Sequence, residues 1–139
     1  MKFDITFDRI FPHRLEKVWQ AVTDRTTLSA WLMETDFVPE GGREFQMWCD
    51  DGEGGEDRHL CRVLDIEPPN RMLWSWVLRG RQGDGETIVE FVLEEVADGT
   101  RLTIRHRGDR DPDTIERFKS GWPYKLEQLA TVFDRPDQK

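Results

Sequence analysis

The chain has 139 residues and a formal net charge of −8, with 28 Asp and Glu against 20 Lys and Arg, and this length predicts a single domain over residues 1–139. No apolar run approaches the ~20 residues that cross a bilayer, and the N-terminus alternates apolar and charged residues unlike a signal peptide, so we expect a cytoplasmic protein without membrane insertion. A pI near 4.9 argues against nucleic-acid binding, which needs clustered basic residues, and six Trp and eight Phe argue against intrinsic disorder.

The first predicted elements in chain order are a strand and two short helices. Phe3 and Phe7 belong to an alternation of apolar and polar residues that is typical of a half-buried strand. Pro12 ends this strand, because proline donates no hydrogen bond to a neighbouring strand. Apolar residues then follow helical spacing from about 13 to 23, and a second helix is predicted at about 27–32.

Five further strands are predicted in the middle of the chain, at about 43–49, 59–66, 71–79, 86–95 and 100–107. Short segments rich in turn formers separate them, and this regular spacing is typical of an antiparallel meander. The glycine-rich segment 51–57 is interpreted as an acidic hairpin tip. It is not a phosphate loop, because it lacks the Lys-Ser/Thr pair and its carboxylates would repel phosphate.

A long helix is predicted to open at Asp111 and to carry an apolar stripe as far as Phe133. Pro123 lies inside this stripe, so a kink or an irregular first part is expected near Gly121. The order of elements predicts an α+β fold, in which a curved six-stranded antiparallel sheet wraps around the long C-terminal helix and two short helices follow strand 1. A single helix does not fill the whole concave face, so we expect a cavity between the helix and the sheet.

The two cysteines predict neither a metal site nor a secreted disulfide scaffold. Cys49 and Cys61 are twelve residues apart and lack a histidine at metal-ligand spacing. They lie in predicted strands on either side of the acidic loop, which makes them candidates for spatial neighbours. We expect reduced, buried thiols.

Residues that would support catalysis are few. None of the three serines lies in a nucleophile elbow. His13, His59 and His106 are scattered, with no nucleophile beside them in the sequence. We therefore predict no catalytic residues and no cofactor, with a triad assembled through the fold as the alternative.

A locally basic patch is predicted on the outer face of the sheet. Its arginines are Arg79, Arg81, Arg101, Arg105 and Arg107. Ion pairs with Glu90 and Glu94 of the preceding strand explain this patch, and a surface for a partner or a nucleic acid is the alternative. Glu94 and Glu95 point to opposite sides of their strand and are expected to be solvated.

Four rows of side chains are predicted to face the long helix. They are Phe45, Met47 and Cys49; Met72, Trp74, Trp76 and Leu78; Val89, Phe91 and Leu93; and Leu102, Ile104 and His106. His106 is the one titratable group that ends an apolar row, so it is a candidate to orient a ligand, with a core histidine bonded to the backbone as the alternative. Trp48 has the opposite parity and is expected to be exposed or at an edge.

An apolar cavity with few polar groups is the usual form of a small-molecule site. The predicted ligand-binding residues are Trp31, Phe45, Met47, Trp74, Trp76, Phe91, His106 and Trp122. For the tryptophans among them, plain core packing is the alternative.

Several short motifs, taken in order, resemble one protein family. They are Asp8–Pro12 with Val18-Trp19, Thr23-Asp24 and Trp31; Gly41–Phe45, similar to G-G-x-x-F; Val63–Trp76, similar to V-x-x-x-x-P-P-x-R-L-x-Y-x-W; Gly99–His106, similar to G-T-x-L-T-x-x-H; and Gly121-Trp122, similar to the G-W of the last helix. Over about residues 3–133 the chain resembles homologues of the activator of the 90-kDa heat-shock protein ATPase, in the START-like (SRPBCC) superfamily. The sequence departs from the family pattern at Cys61, where glycine is common, and at Asp109, where an apolar residue is common.

The resemblance implies a helix-grip fold with a hydrophobic cavity, and three functions are compatible with it. The first is binding of an apolar or aromatic, lipid- or polyketide-like small molecule. The second is a co-chaperone or regulatory module, with a chaperone or another protein as partner. The third is a cavity enzyme, a cyclase or hydrolase that uses His106 with a nearby carboxylate. With any of these functions we expect a monomer or a homodimer.

Overall fold

The computed structural model describes residues 1–50, 52–78 and 85–134. The elements in chain order are β1 (Lys2–Phe11), α1 (Leu15–Thr23), α2 (Arg25–Trp31), β2 (Glu34–Thr35), β3 (Glu44–Asp50), β4 (Glu56–Glu67), β5 (Arg71–Leu78), β6 (Thr87–Val96), β7 (Gly99–Asp109) and α3 (Pro112–Phe133). This order confirms the predicted α+β fold with a long C-terminal helix.

The described strands form one antiparallel sheet in the order β1-β7-β6-β5-β4-β3-β2. It has seven strands, so the prediction of six is wrong. The additional strand, β2, has only two residues, and Glu34 pairs with Trp48 while Thr35 pairs with Met47. A strand this short shows no alternation of apolar and polar residues in the sequence, which is why it was not predicted.

Aspartate side chains begin two of the helices. The Asp24 carboxylate accepts from the Thr27 N–H at the start of α2, and the Asp111 carboxylate accepts from the Thr114 N–H at the start of α3. Helix α3 then continues through Pro123, whose side chain is exposed. The part of α3 that precedes Pro123 is therefore regular helix, and the irregular segment that the proline suggested is not formed.

The core lies between the inner face of the sheet and the three described helices. Trp74, Phe91 and Ile104 are fully buried on the sheet side, and Leu126 and Leu129 are buried on the helix side. This arrangement agrees with the period-2 rows predicted for the strands and with the apolar stripe predicted for the last helix. It places α3 directly over the rows that were expected to form a cavity.

The described arginines of the predicted basic patch form ion pairs with neighbouring carboxylates. The pairs join Arg101 to Asp8 and Glu94, Arg105 to Asp4, and Arg107 to Glu90, at N···O distances of 3.3, 3.0, 2.6 and 3.9 Å. The predicted partners Glu90 and Glu94 are confirmed, and aspartates of β1 supply the rest. Arg79 and Arg81 lie outside the described residues.

The two cysteines differ in exposure, and neither forms a disulfide. Cys61 is buried, as predicted, whereas Cys49 is exposed, so the prediction of two buried thiols is wrong for Cys49. Cys49 is one of the last two residues of β3, and both of these residues are exposed because the strand extends beyond the core there. The two residues are not strand partners, because Cys49 pairs with Asp57 and Cys61 pairs with Phe45.

Strands β3 and β4 form a hairpin, and residues 52–56 near its tip are exposed, as the acidic sequence predicts. Gly52 and Gly54 in this tip have φ values of 81° and 84°, which favour glycine. Near its base Trp48 is half-buried, and the guanidinium carbon of Arg58 lies 4.8 Å from its ring centroid. The parity of Trp48 thus places it opposite the core, with an arginine over its ring.

Candidate functional site

A cavity of about 160 Å³ lies between α3 and the inner face of the sheet. The sheet side of its wall consists of His59 in β4, Trp76 in β5 and His106 in β7. Leu32 and Met33, which directly follow α2, close another side. The helix side consists of Arg117, Phe118, Gly121, Trp122 and Lys125.

Helix α3 lines the cavity with two kinds of side chain. Trp122 is buried and Phe118 is partly buried, and they present aromatic rings to the inner part. Arg117, Gly121 and Lys125 follow at intervals of four residues, which places them on one face of the helix. Arg117 is exposed and Lys125 half-buried, so the helix changes from aromatic to cationic toward solvent.

Gly121 leaves a gap in this helix face. A Cβ atom built at this position would meet no heavy atom within 4 Å. Because Gly121 has no side chain, space stays open beside Trp122, between the two cationic residues of this helix face.

His106 is held by two hydrogen bonds that determine its tautomer. Nε1 of Trp122 donates to Nδ1 of His106 at 3.1 Å, and since an indole N–H is only a donor, Nδ1 carries no proton. Nε2 of His106 therefore carries the proton and donates to Oγ1 of Thr87 at 2.9 Å. The Thr87 hydroxyl in turn donates to the backbone carbonyl of Trp76 at 3.0 Å.

The surroundings of His106 also disfavour its charged form. Burial, with a smaller contribution from the positive charge of Arg110, lowers the pKa of His106 to about 3. The ring is packed between Phe118 and Trp76, with centroid distances of 4.3 and 5.8 Å. His106 is thus a neutral core histidine, although its bonds run to side chains and not to the backbone.

A second tryptophan–histidine pair lies nearby. Nε1 of Trp76 donates to Nδ1 of His59 at 2.8 Å. The Trp76 ring meets the Trp122 ring edge to face at 5.8 Å. The indole N–H groups of both cavity tryptophans are therefore engaged by histidines, and the inner wall presents mainly ring surfaces.

The structure places three of the eight predicted ligand-binding residues on the cavity wall: Trp76, His106 and Trp122. The other five lie in the packed core and do not line the cavity: Trp31, Phe45, Met47, Trp74 and Phe91. Trp31 donates to the Ala21 carbonyl at 2.9 Å. Trp74 packs edge to face against Phe45 and Phe91 at 4.9 and 4.6 Å.

Sequence reasoning missed several residues of the wall. His59 shares its strand face with Cys61 and Val63, so the alternation in β4 indicates that His59 belongs to the inner face. Arg117 and Lys125 lie at i and i+8 around Gly121, which is also visible in the sequence. Whether these two residues line the cavity depends on where α3 packs on the sheet, and their spacing along the sequence does not define that position.

The described residues contain no group of three or more His, Cys, Asp or Glu side chains placed to hold a metal ion. None of the helices in this part of the chain is long and apolar enough to span a membrane.

Known proteins of the same fold include a close structural match from Mesorhizobium loti. Its protein MLL2253 is 31% identical, and the match covers 98% of this chain and 100% of that chain with a TM-score of 0.85. CalU16 from Micromonospora echinospora is 25% identical over 96% of this chain and 77% of its own, with a TM-score of 0.77. DynU16, a protein in the dynemicin biosynthetic locus, is 25% identical over 94% of this chain but 47% of its own, with a TM-score of 0.81.

A search of the curated proteins finds no match. The family model described as activator of Hsp90 ATPase homolog 1-like protein matches residues 12–134, which is most of the chain. This range includes every residue of the cavity wall. The resemblance found in the sequence is therefore confirmed, and the chain belongs to the family of activator of Hsp90 ATPase homolog 1-like proteins.

Proposed function

We propose that this protein binds a small apolar or aromatic molecule, of lipid- or polyketide-like chemistry, in the cavity between the sheet and α3. The observation that carries the proposal is a cavity walled by aromatic rings whose indole N–H groups are already bonded to histidines. Such a wall offers ring faces and edges to a ligand, and apolar contact dominates recognition in sites of this kind.

The volume of the cavity limits what enters it. About 160 Å³ is close to the roughly 150 Å³ of an engineered apolar cavity that admits benzene. The part of the ligand that enters is therefore one aromatic ring or a short alkyl chain. Trp76, His106 and Trp122 would contact it, while the five other predicted residues would support this wall from the core.

The comparisons support a natural-product ligand. DynU16, which is 25% identical to this chain over 47% of its own length, is in the dynemicin biosynthetic locus. A role for this chain in binding a polyketide-like compound fits its aromatic wall, with one ring of the compound inserted.

The geometry favours binding over the enzymatic alternative. A general base must offer a free lone pair to a substrate proton, and the Nδ1 lone pair of His106 accepts from Trp122. The arginine patch, for which a partner surface was the alternative, is also engaged within the chain, since the β7 arginines form ion pairs.

The experiment is a titration with 4-phenylbutan-1-ol, followed by tryptophan fluorescence and by the melting temperature. The wild type is expected to show a saturable change, because Trp76 and Trp122 line the cavity. Gly121→Leu is expected to lose the response, because its side chain would fill the gap beside Trp122. Ser120→Leu, which adds the same side chain at an exposed neighbouring position, should keep it. No saturable change in the wild type, or an equal response in Gly121→Leu, would contradict the proposal.

A further inference from the structure

We propose that the ligand is an aromatic carboxylate, whose ring enters the cavity and whose carboxylate is held at the mouth by Arg117 and Lys125. The inference rests on the proposed function and names the chemical class of the ligand. It is carried by two cations on the cavity wall, by the absence of an ion pair between either cation and a described carboxylate, and by the gap at Gly121 between them.

The two cations are placed to act on one group. Arg117 and Lys125 lie eight residues apart on the same face of α3, which corresponds to about 12 Å along the helix. Both side chains are long and flexible enough to approach a group located midway. Gly121 lies midway and presents no side chain, so a ligand can pass close to the helix there.

Neither cation has a carboxylate within ion-pair distance in the described part of the chain, and the charge of Arg117 is the smallest of the causes that lower the pKa of Asp111. Most of the other described arginines pair with carboxylates, for example Arg105 with Asp4 at 2.6 Å and Arg71 with Glu90 at 2.7 Å. No described carboxylate forms an ion pair with Arg117 or Lys125. In a chain of net charge −8, two such cations beside one apolar cavity indicate an external anion.

Lys125 has lost part of its hydration. Desolvation lowers its pKa, and the nearby Cys49 offsets this only in part. A partly desolvated ammonium without a carboxylate partner is stabilised when an anion binds beside it. The exposed Arg117 adds a planar group that holds a carboxylate through two parallel N–H donors.

The same arrangement determines how the ligand is oriented. The indole N–H groups of Trp76 and Trp122 are bonded to histidines, so they do not compensate a carboxylate for the water that it would lose on entering. The ring therefore points inward and the acid group outward. The cavity volume admits one ring with a short linker, which describes an arylalkanoate.

The test compares 4-phenylbutyrate with 4-phenylbutan-1-ol, which has the same ring and linker but no charge. The wild type is expected to bind the acid about tenfold more tightly than the alcohol, because the carboxylate would form charge pairs with two partly exposed cations. Arg117→Gln combined with Lys125→Gln should reduce the affinity for the acid to that for the alcohol. Lys119→Gln, which removes an α3 charge that lies outside the cavity wall and pairs with Glu116, should keep the preference.

The alcohol also serves as the folding control, because its affinity should be equal in the wild type and in the double variant. Rising salt should reduce the preference for the acid, since salt screens exposed charges. Equal wild-type affinities for acid and alcohol, or a preference that survives the double substitution, would overturn the inference and leave the proposed function standing. If neither compound binds, both proposals fail.

Discussion

Nε1 of Trp122 donates a hydrogen bond to Nδ1 of His106 at 3.1 Å, and this bond joins α3 to β7 inside the core. Because Nδ1 is thereby occupied, Nε2 carries the proton and connects β7 to Thr87 in β6. Thr87 continues the connection to the backbone of Trp76 in β5. One chain of hydrogen bonds therefore links α3 to β7, β6 and β5, and it includes the wall residues Trp122, His106 and Trp76.

Folding stability should depend on pH through His106. Its pKa is lowered from 6.5 to about 3 in the folded protein. As the pH falls, the unfolded chain therefore binds the proton at a higher pH than the folded protein does. This contribution to stability is fully present above about pH 6.5 and is lost as the pH falls toward 3, with a slope approaching about 1.4 kcal/mol per pH unit. Urea denaturation from about pH 7 to about pH 5 measures it, before most carboxylates titrate.

The matched variant is His106→Asn, whose side-chain oxygen can replace Nδ1 as the acceptor for Trp122. The substitution removes the titrating group, so the stability of the variant should decrease less steeply than that of the wild type as the pH is lowered. The 15N chemical shifts of the ring give a direct readout, with Nε2 protonated and Nδ1 unprotonated at neutral pH. A midpoint near 6.5 for His106 in the folded protein would contradict this prediction.

Gly108→Ala should destabilise the fold through Thr87. An added Cβ would lie 2.7 Å from Cγ2 of Thr87, and Thr87 resists rotation because its hydroxyl is bonded to both His106 and Trp76. We expect a loss of about 1–3 kcal/mol in the free energy of unfolding, as for other overpacked sites. Urea denaturation measures it.

A double-mutant cycle identifies the cause of that loss. Thr87→Ser removes Cγ2 but keeps the hydroxyl, so the cost of Gly108→Ala should fall to about 1 kcal/mol or less in this background. If Gly108→Ala costs the same in both backgrounds, the contact with Thr87 is not the source of the effect.

The fold was largely predictable because its elements carry strong periodic patterns. The alternation in β1 and β5 to β7 and the stripe of α3 are consequences of one-sided burial, and each spans enough residues to be recognised. β2 has two residues and carries no such pattern. The exposure of Cys49 also escaped prediction, because parity defines a strand face but not where along the strand the core ends.

The site was less predictable than the fold. Trp74 and Trp76 share a strand face, yet Trp74 is fully buried in the core and Trp76 lines the cavity. The difference depends on where α3 crosses the sheet, which no pattern within one strand contains. The tryptophan–histidine bonds likewise join residues 16 and 17 positions apart, so they depend on the packing of separate elements.

The two thiols should react at very different rates. Cys49 is exposed, whereas burial raises the pKa of the Cys61 thiol and the side chain is only 4% exposed. Since the thiolate is the reactive form, a disulfide reagent should modify one thiol per native molecule and two in denaturant. Cys49→Ser should abolish the native reaction, and Cys61→Ser should leave it unchanged. Two thiols reacting at equal rates in the native protein would contradict the burial of Cys61.

Gly121→Ala should raise stability and lower ligand affinity together. Glycine in a helix interior costs roughly 0.5–1 kcal/mol relative to alanine, and an added Cβ meets no atom within 4 Å, so the free energy of unfolding in urea should increase by about that amount. The same methyl group would narrow the gap beside Trp122, and the affinity for 4-phenylbutan-1-ol should fall by about twofold to fivefold, as for the loss of about one methylene of contact.

Ser120→Ala, at the exposed neighbouring position, should leave the affinity unchanged. A stabilised Gly121→Ala variant with wild-type affinity would show that the ligand does not pass this face of α3. A destabilised variant would show that the space beside Gly121 is closed.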